Sequence, residues 1–255
     1  IMEFAYELYY SIDVYFIKED GSFIKKTIHR NDFAFNRELV HRNFTFSFNL
    51  EKNVSYKIFI RIKSKVMTVP LYLWSMKSFS YKLQKEYIIL GIYYGIISIM
   101  IIFNLFVFFS TKDISYLFYV FYTTSYMLWQ FSYNGLGFQF FWPTLPSLSF
   151  LPNLFSPIVL FFILCFIRSF LEVRKNVPYL KIIFDVLSAV CILELIIFTM
   201  IMFGLSVTEL INMILTALAN VLNATVIILV MMSTVITLIK GFKPARFILI
   251  AWLCF

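Results

Sequence analysis

Charge is what this sequence has least of: Asp, Glu, Lys and Arg make up 14% of its 255 residues, against roughly 25% in a soluble domain. With 61% hydrophobic residues and a mean hydropathy of +0.83, the excess of apolar side chains exceeds what a buried core absorbs. Histidine is nearly missing too. His29 and His41 are the two copies, so the apolar part of the chain lacks the group that histidine-based hydrolysis, acyl transfer and most zinc sites need. No glycine-rich phosphate loop is present, which argues against nucleotide chemistry and an intramembrane enzyme. Cys165, Cys191 and Cys254 all lie in apolar runs, so no disulfide framework holds the polar part together and no metal or cofactor is expected.

What charge there is falls unevenly. Residues 1–86 carry 14 Lys and Arg and nine Asp and Glu, while residues 87–255 carry eight and five. The chain therefore divides into a water-compatible head and a lipid-compatible remainder, and the net charge of +8 marks membrane orientation rather than nucleic-acid binding. The start at Ile1, with no basic-then-apolar leader, and the end inside an apolar run at Phe255 read as a piece of a longer protein.

The head, 1–80, has the period of strands. FTFSFNL (44–50) and YKIFIRIKS (56–64) alternate apolar and polar residues, the pattern of half-buried β-strands, with turn chemistry in EKNVS between them. Asp20-Gly21 joins IDVYFI to SFIKKTI as a hairpin, and Pro70 marks an edge strand or a bend. The expectation is an antiparallel β-sandwich, of which this is the C-terminal part. Between the strands, HRNDFAFNRELVHRN (29–43) concentrates polar groups. His29, Arg30, Arg37, His41 and Arg42 are candidates for binding an anion or a sugar, against the plainer reading of a solvated connection between sheets.

Residues 86–255 read as a helical membrane domain. Five complete apolar segments span about 87–109, 114–134, 148–170, 180–203 and 209–239, and a sixth starts near 245; each complete one approaches or exceeds the roughly 20 residues that cross a bilayer. All eight basic residues of this region fall in alternate gaps, whereas 135–147 and 204–208 contain no charge. By the positive-inside rule the basic gaps are cytoplasmic and the head lies outside, with Lys77, Lys82 and Lys85 counting against. The uncharged stretch NGLGFQFFWP (134–143) is then an outer turn, its Phe138, Phe140, Phe141 and Trp142 placed at the headgroup level and its glycines and Pro143 reversing the chain. An apolar binding surface is the competing reading of the same turn.

Carboxylates at bilayer depth are costly and mark sites by default. Asp185 lies one turn from Lys181 and is expected to pair with it. Glu194, nine residues further on, faces the opposite side of the helix and is expected to be a protonated, hydrogen-bonded packing group. Asn212, Thr216, Ala219 and Asn223 share one helix face, as do Gly91, Gly95 and Ser98; such small or weakly polar stripes suit close helix packing. Transport of a small solute competes as a function, since Asp185 and Glu194 could carry ions. Against it, the first two apolar segments have no interior proline and no segment recurs.

The block 93–143, with Gly95, Asn104-Leu105, Asp113, Tyr116, Tyr119, Gln130, Asn134-Gly135-Leu136-Gly137 and Trp142, resembles the start of the membrane domain in bacterial seven-transmembrane receptors with diverse intracellular signalling modules. FIRSFLEVRKNVP (166–178) and GFKPARFILIAW (241–252) are similar to that family's cytoplasmic gaps, and DGSF with FAFNRELVHRNFTFSF (33–48) to the end of its extracellular jelly-roll domain. The resemblance implies a multi-pass receptor of the bacterial inner membrane whose outer domain senses a ligand, carbohydrate being one class. It further implies a seventh helix and a cytoplasmic output module in the full-length chain, a kinase, cyclase or phosphatase. The lipid bilayer, an external ligand and that module are the partners so implied. Modules of this kind often work as dimers, so a homodimer is a further expectation, and nucleic acid is not a partner.

Overall fold

The computed structural model describes residues 1–5, 9–18, 21–29, 32, 38, 39, 41–49, 54–64, 68–145, 148, 150–205 and 207–253. The chain is a membrane protein of two parts, a β-sandwich followed by helices. Strands β1 (Met2–Phe4), β2 (Ser11–Lys18), β3 (Phe23–His29), β4 (Phe44–Phe46), β5 (Tyr56–Lys63) and β6 (Leu71–Leu73) precede helices α1 (Met76–Thr111), α2 (Ile114–Tyr133), α3 (Leu136–Phe140), α4 (Leu151–Phe170), α5 (Val173–Asn176), α6 (Lys181–Met202), α7 (Glu209–Ile239) and α8 (Ala245–Leu253).

The strands form two antiparallel three-stranded sheets, ordered β4-β1-β6 and β3-β2-β5. Alternation decides which side chains meet between them. Met2, Phe4, Phe44 and Phe46 from one sheet enclose a shared core with Ile12, Val14, Phe16 and Ile28 from the other, and Phe4 and Phe46 meet edge to face at 5.8 Å. The expected hairpin forms, with Lys18 N–H donating to Ser22 O at 2.9 Å and Gly21 at φ 83°, a left-handed conformation that glycine adopts without strain. Strand β4 is shorter than the alternation over 44–50 suggests. It pairs with β1, whereas β5 pairs with β2, so the chain between them changes sheets. Of EKNVS, 51–53 lie outside the described residues. Pro70 directly precedes β6, an edge strand, where a missing N–H costs no ladder bond.

Two compact units result: residues 1–93 with 130–149, and residues 94–129 with 150–255. Helix α1 contributes Met76–Tyr93 to the first. It starts well before the apolar run because Ser75 caps it, its Oγ accepting from Ser78 N–H at 3.1 Å. Phe79, Lys82, Leu83, Glu86 and Tyr87 then recur at helical spacing on its less exposed side.

In the second unit α4 is central. Leu160, Ile163, Leu164 and Ile167 form a stripe that packs with Phe184 and Cys191 of α6 and with Val226 and Val230 of α7. Helices α1, α4, α6 and α7 have the length and composition to cross a membrane. Helix α2 has 20 residues, but five tyrosines and five serines or threonines keep it out of that group.

Candidate functional site

Strand alternation places Glu3, between Met2 and Phe4, on the face of its sheet that points away from the sandwich core. A carboxylate there is ordinarily solvated. Glu3 is instead fully buried, because three donors from three parts of the first unit converge on it. Oε1 accepts from Asn43 Nδ2 at 2.7 Å and Lys82 Nζ at 2.5 Å, and Oε2 from Trp74 Nε1 at 2.8 Å. Lys82 also reaches Glu86 Oε1 at 3.0 Å, and Arg42 Nη2 lies 3.3 Å from Glu86 Oε2. Arg42 Nη1 in turn donates to the backbone oxygen of Asn134 at 3.5 Å. Two carboxylates and two cations thus alternate in one neutral network.

Pairing outweighs burial at this carboxylate. Burial alone pushes the Glu3 carboxyl up, but the hydrogen bonds from Lys82 and Asn43 and the Lys82 charge hold it below its ordinary range. His41 shows the opposite balance. It is 2% exposed, its Nδ1 accepts from Asn43 N–H at 3.1 Å, and its ring meets Phe79 at 5.6 Å. Burial lowers its pKa to about 4, so it is neutral at pH 7. With Nδ1 accepting, the proton resides on Nε2, which is buried without a hydrogen-bond partner among the described residues.

A cleft of about 460 Å³ opens beside this network. Arg42, Asn43 and Glu86 supply donors and acceptors along its wall, and Tyr72, Trp74 and Tyr133 supply ring faces. Planar rings interleaved with fixed polar groups suit a polar, ring-shaped ligand, with apolar faces against the rings and hydroxyls against the polar groups.

The uncharged turn belongs to the same compact unit. It contains helix α3, entered through Gly135 at φ 66°. Gln139 Nε2 donates to Tyr87 Oη of α1 at 2.8 Å. Phe140 and Phe141 are exposed, Phe138 and Trp142 half-buried. A Cβ on Gly137 would sit 2.0 Å from the Trp142 ring, so glycine is what lets that indole fold over the turn.

Of the sequence candidates, His41 and Arg42 join the polar network, while His29 is exposed at the end of β3. Arg30 and Arg37 lie outside the described residues. The residues the sequence did not single out are Glu3, Asn43, Trp74, Lys82 and Glu86. The Lys82/Glu86 spacing of four was a visible signal; Glu3 gave none.

In the second unit two expectations change. Asp185 pairs with Arg168 rather than Lys181, because α4 and α6 pack side by side and bring the guanidinium across. The Glu194 carboxyl oxygens are buried without a hydrogen-bond partner among the described residues, so the hydrogen bond expected of it is not found there. Thr216 and Asn223 bond to carbonyls of their own helix, at Asn212 and Ala219, and Asn212 and Asn223 are half-buried while Thr216 is exposed. The close-packed face of α7 is the one carrying Leu222, Val226, Val230, Ser233 and Thr237. Gly91 and Gly95 are exposed, with nothing within 4 Å of a would-be Cβ. Among the described residues no group of His, Cys, Asp and Glu could hold a metal ion.

Searches of curated proteins and of solved structures return no match. Two family models do match: residues 1–75 fit the 7TMR-DISM extracellular 2 domain, and residues 86–255 fit the 7TM diverse intracellular signalling domain. The second covers two-thirds of the chain, and the chain belongs to the 7TM-DISM family, the seven-transmembrane receptors with diverse intracellular signalling.

Proposed function

We propose that this receptor senses a carbohydrate in the cleft beside Glu3 and that the ion network there links ligand binding to the position of α1. As a member of its family it is a multi-pass membrane sensor; the ligand, the direction of signalling and the output are the parts proposed. The observation that carries the reading is the convergence of Asn43, Trp74 and Lys82 on the buried Glu3. Trp74 and Asn43 also line the cleft, so a ligand that moves them disturbs the partners of a carboxylate that Lys82 of α1 shares. A ligand transmits a signal only if it binds one arrangement better than another, and a shared cation offers two such arrangements.

The head is proposed to face the outside of the bacterial inner membrane. Supporting this, all eight basic residues after residue 86 fall in alternate gaps or in the helix turns that flank those gaps, and Lys82, which counted against it, is paired with two carboxylates. A cytoplasmic output module in the same full-length chain, working in a homodimer, completes the proposal. The test uses the full-length receptor in membranes. Lys82→Met is expected to shift basal output at least about threefold, and Trp74→Phe with Arg42→Met to abolish saturable quenching of tryptophan fluorescence by a panel of mono- and oligosaccharides. Unchanged output in the first, with normal protein levels, removes the network from signalling; no saturable sugar in the wild type removes the ligand class.

A further inference from the structure

A second cavity, of about 470 Å³, lies within the helical unit. Tyr116, Tyr119, Tyr122 and Tyr126 line it from α2, recurring at spacings of three, three and four, so one face of that helix is a ladder of phenols. Opposite them stand Ile163, Phe166 and Phe170 of α4 and Phe247 of α8. A smaller cavity of about 200 Å³ shares Tyr122, Tyr126 and Ile163 with it and continues to Trp129 and Asn223. Sharing these three residues, the two cavities adjoin along α2 as one groove would, the larger toward Tyr116 and the smaller toward Trp129.

The lining chemistry limits what fits. Among the described residues no charged side chain lines either cavity, so a carboxylate, phosphate or ammonium entering it would lose water without gaining a counter-ion. The hydroxyls of Tyr116, Tyr119 and Tyr122 have no hydrogen-bond partner among the described residues, although Tyr119 and Tyr122 make ring contacts at 6.4 Å and Tyr119 meets Phe166 at 5.3 Å. Phenol hydroxyls are strong donors, and in hydrocarbon no water competes to satisfy them. The larger cavity therefore presents donors and flat aromatic walls, and the smaller one presents mainly apolar walls.

We propose that this groove binds a neutral, lipid-soluble ring molecule that carries carbonyl oxygens and an apolar tail, the chemistry of a membrane quinone. Its carbonyl oxygens accept from the phenols, its ring packs against Phe166 and Phe170, and its tail follows the smaller cavity past Trp129. The ester carbonyls of a bilayer phospholipid share the acceptor chemistry but not the flat ring, and the test separates the two.

The test uses the full-length chain in phosphatidylcholine nanodiscs titrated with a benzoquinone bearing one isoprene unit, read by tryptophan fluorescence against protein-free discs. Expected is saturable quenching, with a dissociation constant raised about tenfold in Tyr119→Phe/Tyr122→Phe, which preserves ring volume, and saturation lost in Ile163→Trp, which fills the part the two cavities share. Native mass spectrometry of the same samples is expected to find quinone bound to wild type and reduced in the double variant. Linear quenching, a dissociation constant unchanged in both variants, or a tightly retained phospholipid that the quinone does not displace would each overturn the proposal.

Discussion

The two compact units satisfy their polar side chains in opposite ways. In the first, bonds run between distant parts of the chain: Glu3 to Asn43 across 40 residues, to Trp74 across 71 and to Lys82 across 79. In the second, hydroxyl after hydroxyl bonds to a carbonyl of its own helix, as Thr123 does to Tyr119, Ser188 to Phe184, Thr199 to Leu195 and Thr237 to Ser233. Ser115 with Ser169 and Arg168 with Asp185 are bonds made across helices. The difference is one of constraint. A side chain satisfied within its own helix places no demand on a neighbour, so apolar shape sets most of the packing, and a helix shift would break cross-helix pairs such as Arg168 with Asp185 but none of these hydroxyl bonds. The charged network of the first unit has definite partners to lose.

The harshest way to break this comparison is to remove the cation that Glu3 shares. Lys82→Met leaves a buried carboxylate short of a partner, which costs about 3–5 kcal/mol. The first unit should lose that much in thermal unfolding of the receptor in nanodiscs, and Glu3→Gln, which keeps an acceptor for Trp74 or Asn43, should lose less. Acid is the next largest perturbation. His41 titrates near pH 4 when folded and near 6.5 when unfolded, so the unfolded chain takes up the proton first. Its contribution is complete above pH 6.5 and falls by about 3 kcal/mol as the pH drops to 4. Glu3, also lowered, acts in the same direction below its ordinary 4.5. Protease protection of the first unit should weaken across this window, and His41→Phe should flatten the part between 6.5 and 4.

Gly137→Ala should cost about 1–3 kcal/mol through the collision with the Trp142 ring, and adding Trp142→Ala should recover most of it. Substitutions on the other side of the comparison should do least. Thr216→Ala and Asn223→Ala remove bonds that each helix makes to itself, with expected effects within about 0.5 kcal/mol. A large loss there would mean that α7 is held by polar contacts after all.

Much of this architecture was legible in the residues. Apolar runs gave the long helices, because hydrophobic length has a single common use at this scale, and the alternation in IDVYFI and YKIFIRIK gave the sandwich strands. The start of α1 was less visible, since its first turns carry Lys77, Lys82, Lys85 and Glu86 and look soluble until one face is seen to be covered. Glu3 could not be found at all. Nothing local distinguishes a carboxylate that will be solvated from one whose partners arrive 40 to 79 residues later. The polar stripe on α7 misled for a related reason: side chains that can bridge helices can equally bond backward along their own.

The distance along the chain between Glu3 and Lys82 also orders events during synthesis. Asn43 and Trp74 emerge first, but Glu3 must wait for its cation until Lys82, 79 residues later, has left the ribosome. Loop closure over that length adds an entropic toll to every attempt at the contact, and contacts so distant in sequence form slowly. The Glu3 site cannot be completed before the first turns of α1 exist, and a receptor truncated ahead of residue 82 would carry a buried carboxylate with no cation beside it.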